Sequence, residues 1–148
     1  MPDILHRVGI QSSPENVYRA LATLEGLAGW WTNDTQGDAT RGGVIRFRFG
    51  ARGGFDMKVL ETEPARRVRW QVNEGPAEWM GTQIGFELRP ANGVTHVLFE
   101  HQGWPGASEF MHHCSTKWAL FLMSLKSRVE TGKGAPYPDD VHISGDAD

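Results

Sequence analysis

Cysteine occurs once in the 148 residues, at Cys114, so no disulfide can form within the chain and no thiolate zinc site can be built from cysteine alone. Long hydrophobic runs are missing too. The longest strongly apolar stretch, Trp118 to Met123, falls far short of the roughly 20 residues a membrane helix needs, which argues against a membrane as partner. The opening segment lacks the features of an export signal: Asp3 stands where a signal peptide needs basic residues, and the apolar stretch around Ile4 and Leu5 is too short. These absences predict a soluble, cytoplasmic protein. There is also no excess of positive charge. Residues 1–131 hold 14 Lys plus Arg against 14 Asp plus Glu, and the net charge of −3 arises in residues 132–148, where Lys133 faces Asp139, Asp140, Asp146 and Asp148. A body with no net charge argues against a nucleic-acid binder, whose affinity comes mainly from neutralised phosphates.

What is present suits one globular domain: 39% of residues are apolar and 22% charged, and area scaling predicts that folding removes about two-thirds of the extended chain's surface from water. The opening alternates, with His6, Val8 and Ile10 on one side and Arg7 and Gly9 on the other, as in a half-buried strand. Ser13-Pro14-Glu15 then supplies a hydroxyl cap, a proline at the first helical position and an acid in the first turn, and Val17, Leu21 and Leu24 continue at helical spacing as far as Gly26. Leu27 to Trp31 reads as a second brief helix or turn, and residues 33–43 as a polar, Gly-rich loop. From Gly43 to His101 the period is two, in five runs separated by turn residues, which predicts an antiparallel meander. The last element is the longest. Met111, Cys114, Trp118, Phe121, Leu125 and Val129 recur at helical spacing and fall within about 60° of one direction. Gly132 closes the run, and residues 135–148 read as an acidic, flexible tail.

A strand, two short helices, a meander and a long amphipathic helix make an α+β domain whose sheet must wrap its apolar face around the final helix. A curved sheet and a straight helix do not match perfectly, and the mismatch leaves room for a cavity bordered by aromatics. Six tryptophans are available for that border.

Several segments in order carry a resemblance: Ser13 to Leu21, Gly29-Trp30-Trp31, Glu63-Pro64 through Trp70, Trp118 to Leu125, and Glu130 to Gly134. Together they resemble the START-like (SRPBCC) superfamily, and within it bacterial homologues of the heat-shock protein 90 ATPase activator C-terminal domain. The likeness spans roughly residues 4–134. It implies a helix-grip domain over residues 1–134, with about seven antiparallel strands gripping the C-terminal helix above a hydrophobic pocket. That is one strand more than the periodicity shows. The superfamily includes lipid carriers, hormone receptors, polyketide cyclases and oxygenase domains, so the fold does not choose a function.

If the alternation is correct, Phe47, Phe49, Met57, Trp70, Phe86, Phe99, Met111 and Trp118 point into the space between sheet and helix, with Trp31, Trp79 and Trp104 near its mouth. Such a wall suits a small apolar or amphipathic molecule. His101 ends an inward row and is the candidate polar group, able to hydrogen-bond a ligand or to act as acid or base near its unperturbed pKa of about 6.5. No metal or cofactor is expected: His112, His113 and Cys114 are adjacent on a helix and diverge rather than converge on one ion. Arg46, Arg48, Arg67 and Arg69 form a basic stripe on the outer sheet face without alternating aromatics to stack bases. The reading is therefore a ligand-binding domain. The alternatives are a cyclase- or hydrolase-type enzyme using His101 in the same pocket, and a chaperone-associated or homodimeric interaction module using the outer face.

Overall fold

The computed structural model describes residues 1–145. Its elements run β1 (Ile4–Ile10), α1 (Pro14–Ala22), α2 (Leu24–Ala28), β2 (Asp34–Gly37), β3 (Val44–Arg48), β4 (Gly54–Glu63), β5 (Arg67–Glu74), β6 (Gln83–Ala91), β7 (Val94–Gln102) and α3 (Glu109–Thr131). The strands form one antiparallel sheet in the order β1-β7-β6-β5-β4-β3-β2. Neighbours in sequence are neighbours in space except β1, which crosses over to pair with β7 along its full length, from Ile4 opposite His101 to Ile10 opposite Thr95. This is the α+β helix-grip architecture, with seven strands. No helix among the described residues is long and apolar enough to cross a membrane.

The strand that periodicity missed is β2. It lies inside the stretch read as a loop, and it is short, polar and at the sheet edge, so no side chain in it must be buried to hold its register. The two short helices divide differently from the sequence reading as well. The Thr23 hydroxyl donates to the Arg19 carbonyl (2.6 Å) and accepts from the Gly26 amide (3.0 Å), closing α1 and capping α2 with one side chain. Leu24 therefore opens α2 instead of ending α1.

The final helix follows its sequence signals. Ser108 accepts from the Met111 amide at the start, Gly132 adopts the left-handed conformation at the end, and Cys114, Trp118, Phe121, Leu122 and Leu125 are buried. Met111 and Val129, at the ends of the apolar stripe, are only half-buried against the core. Ser124 lies within that buried face. Its hydroxyl donates to the Trp30 carbonyl and accepts from the Ala135 amide, both at 2.8 Å, so it fastens the chain beyond the helix to the loop after α2. The Tyr137 amide then donates to the Trp31 carbonyl (2.8 Å), the Asn33 amide donates to the Tyr137 carbonyl (3.1 Å), and Lys117 holds Asp140 at 2.6 Å. Counting charge shows none of these contacts. Residues 146–148 of the acidic stretch lie outside the described residues.

The outer face is not uniformly basic. Arg48 pairs with Asp56, Arg67 lies 3.5 Å from Glu61, and Arg69 pairs with Glu100 across β5, β6 and β7.

Helices α1 and α2 approach so closely that a Cβ on Gly26 would lie 2.6 Å from the Ala20 Cα. Gly26→Ala would gain about 1 kcal/mol of helix propensity in an open helix. Here it is expected to cost about 1–3 kcal/mol through overpacking. An unchanged or raised urea midpoint would contradict the close approach.

Candidate functional site

The space expected between Trp70 and Trp118 is filled, and Trp31 fills it. Its ring stacks on Trp70 at 6.1 Å between centroids, meets Phe47 at 4.4 Å and meets Trp118 at 4.9 Å. Behind it Trp70, Phe86 and Phe99 interlock edge to face, 5.2–5.3 Å apart. Phe47, Met57, Trp70, Phe86 and Phe99 are thus the packed interior, each at most 2% exposed. The sequence reading placed them on a ligand wall because inward alternation shows which side chains are buried, not whether their neighbours touch.

The room that the sheet and helix do leave is displaced toward the β3–β4 and β5–β6 connections. It is an open cleft of about 600 Å³ between those connections, α3 and the segment around Asp140. Trp31, Phe49, Phe55, Trp79, Trp118 and Phe121 form its apolar wall. Phe49 leaves β3 and leads into a 3-10 turn at Gly50–Arg52, which is folded back by the Phe49 amide donating to the Gly53 carbonyl (2.7 Å). Gly50, with φ of 60°, lets the Tyr137 hydroxyl approach where a side chain would stand. Phe55, the second residue of β4, is only half-buried and stacks on Trp79 at 4.2 Å, 6° from parallel. Trp79 sits in a second 3-10 turn, Ala77–Trp79, which folds over the end of the sheet.

Of the residues expected to contact a ligand, the structure brings Trp31, Phe49, Trp79 and Trp118 to the cleft. Trp104 and Met111 are not among the lining side chains; Trp104 is fully buried against His101 at 4.9 Å. Sequence reasoning missed Phe55, Phe110, Lys117 and Asp140 as part of one site. Phe55 stands two residues before the inward Met57 and shares its period, but nothing in the sequence shows that Asp140 returns to α3.

His101 is sealed from solvent, and both ring nitrogens are engaged. The Trp118 indole donates to Nδ1 (3.1 Å), Nε2 is 2.8 Å from the Thr82 hydroxyl, and that hydroxyl donates to the Trp79 carbonyl (2.5 Å). Since Nδ1 accepts and the Thr82 proton is already used, Nε2 carries the hydrogen and the imidazole is neutral. Burial pushes its pKa from 6.5 down to about 3. The expected role inside a pocket is therefore corrected: His101 lies outside the cleft lining and ties two cleft tryptophans together. Burial likewise raises the Cys114 thiol to about 12, against a smaller lowering by the Trp79 indole, so at neutral pH it is a protonated wall group. His112 Nδ1 lies 2.7 Å from the Ser108 carbonyl and His113 Nδ1 lies 3.2 Å from the Ser144 hydroxyl, so the two histidines serve different neighbours.

The cleft lining carries three cations, Arg48, Arg52 and Lys117, and three carboxylates, Asp56, Glu74 and Asp140, and two couples among them are in contact. Arg48 and Asp56 are 2.7 Å apart, while Lys117 donates to Asp140 and to the Val141 carbonyl (2.8 Å). The Lys117 and Asp140 side chains are only 11% and 5% exposed, so this pair is largely withdrawn from water.

Residues 11–130 match the protein family described as "Activator of Hsp90 ATPase homolog 1-like protein". No curated protein matches the chain. Among solved structures, the Aha1 dimer from Colwellia psychrerythraea is similar over 90% of this chain and 100% of its own, at 48% identity and a TM-score of 0.83. DynU16, a putative protein in the dynemicin biosynthetic locus, is similar over 91% of this chain and 49% of its own, at 25% identity and a TM-score of 0.74. CalU16 from Micromonospora echinospora shares the fold over 90% of this chain and 77% of its own, at 18% identity and a TM-score of 0.70.

The buried neutral imidazole has a signature in stability. An unfolded chain takes up a proton at His101 below about pH 6.5, while the folded chain resists until about 3. The stability contribution is full above 6.5 and is lost as the pH falls toward 3, by up to about 1.4 kcal/mol per pH unit. His101→Gln, which can keep one donor and one acceptor, is expected to flatten this slope in urea titrations. Parallel slopes for the two proteins would contradict the assignment.

Proposed function

This chain belongs to the Activator of Hsp90 ATPase homolog 1-like family, and on that premise we propose that it binds a small apolar or amphipathic molecule, in the cytoplasm, using the aromatic cleft. The observation that carries the reading is the cleft: about 600 Å³, walled by aromatic side chains and rimmed by equal numbers of cations and carboxylates. A volume of that size suits a small molecule. Displacing water from such a wall contributes about 25 cal/mol per Å² buried, so affinity needs no ion pair with the ligand. Trp31, Phe49, Trp79 and Trp118 are the expected contacts that this reading retains, joined by Phe55 and Phe110.

A second reading has its own support. The similar Colwellia protein is an Aha1 dimer, which favours a second copy of this chain as a partner, and the family description names activation of a chaperone ATPase. If that activity extends to this chain, adding it in excess raises the turnover of a bacterial heat-shock protein 90; an unchanged rate would remove the activator reading and leave the cleft untouched.

For the cleft itself, the neutral dye N-phenyl-1-naphthylamine is expected to bind at one site. Phe55→Glu, which sets a charge on the wall, should weaken it by about ten-fold or more, a loss of roughly 1.4 kcal/mol. Equal dye affinity in both proteins, each with a cooperative unfolding transition, would contradict the proposal.

A further inference from the structure

Two groups on the cleft wall are unsatisfied. Buried polar atoms ordinarily find partners, because leaving one unpaired forfeits its hydration without return. Asp140 Oδ1 and Trp79 Nε1 are buried without a hydrogen-bond partner, and both residues line the cleft. The Trp79 indole has the Cys114 thiol, a weak acceptor, within its influence. Asp140 has no such outlet. Its Oδ2 is taken by Lys117, while Oδ1 is a buried acceptor without a donor, on a side chain only 5% exposed that borders the cleft.

The rings beside it turn by small steps, which amount to 39° between Trp31 and Trp118. Passing from Trp31 to Phe55, Trp79 and Trp118, successive planes differ by 18°, 6° and 18°. A flat conjugated ring can extend that series by offset stacking, a gain beyond buried area that an acyl chain does not share. The lining carries Arg48, Arg52 and Lys117 against Asp56, Glu74 and Asp140, so its formal charges cancel and the cleft asks for no net charge on its ligand.

The geometry points to an uncharged aromatic molecule bearing a hydroxyl or N–H donor, its ring against the Phe55–Trp79 wall and its donor on Asp140 Oδ1. This rests on the cleft being the binding site and specifies what that site takes. No covalent step is involved. Asp140 thereby becomes a ligand-contacting residue, delivered to the site by the segment that follows α3.

The test compares 2-naphthol with 2-methoxynaphthalene, which has the same ring and no donor, by NMR titration of the full chain on its tryptophan indole signals. Burial alone would favour the ether, the more apolar of the two. The proposal expects 2-naphthol to bind about ten-fold tighter, the scale of one hydrogen bond to a charged group. It expects 1-octanol to bind more weakly than 2-naphthol. The double variant Asp140→Leu/Lys117→Met removes both charges together, so that neither is left buried alone, and should abolish the preference for the naphthol while preserving ether binding. Equal affinities for naphthol and ether in the native chain, or a preference that survives in the double variant, would overturn the donor assignment while the cleft stands. Octanol binding as tightly as naphthol would overturn the flat-ring assignment. If none of the probes moves a cleft indole, the binding-site reading itself fails, and this inference falls with it.

Discussion

Trp31 sits where the curved sheet and the straight α3 would otherwise part. It meets Phe47 and Trp70 on the sheet side and Trp118 and Phe121 on the helix side, so one indole is shared by both layers. A side chain of that size, 2% exposed, contributes on the order of 3–5 kcal/mol when its alternative is a cavity. Its position is held from the backbone. The Trp31 amide donates to the Leu27 carbonyl at the end of α2, and its carbonyl accepts from Tyr137. The closeness of α1 and α2 therefore bears on the interior: it fixes where the chain leaves α2 and hence where this ring lands.

With the centre occupied, the room between sheet and α3 lies beyond the ring, at the open end where β3–β4 and β5–β6 turn. There the wall is stiffened from behind. The series from Trp118 through His101 and Thr82 to Trp79 joins α3, β7 and the β5–β6 turn by hydrogen bonds whose donors and acceptors are all determined. A neutral histidine suits this position because it accepts on one side and donates on the other. Tying the two tryptophans together preorganises the face they present, which lowers the ordering cost of any ligand placed against it.

The sequence reading reached the architecture because buried alternation and capping are local signals: the Ser13 cap, Gly132 beyond the last turn, and the inward row that His101 ends are all found in place. It missed β2, whose polar residues carry no alternation to detect. For the site, the same alternation misled. Phe47, Trp70, Phe86 and Phe99 face inward as expected, yet whether inward rings enclose a space depends on what arrives from elsewhere, and Trp31 arrives from a loop. His101 faces inward too, but only the positions of Thr82 and Trp118 show that its nitrogens are spent. Asp140 is the clearest case. Its charge reads as solvated tail, and its place beside Lys117 depends on tertiary contacts made through Ser124, Trp31 and Asn33.

On the proposed function, a ligand sits outside Trp31, against the turns, and not between the sheet and the middle of α3. Intermolecular NOEs from a saturating neutral naphthalene probe to assigned aromatic protons decide it most directly. Cross-peaks are expected to Phe55, Phe110 and Trp79, and none to Phe86 or Phe99. Cross-peaks to Phe86 and Phe99, with Trp31 displaced from Trp70, would contradict it.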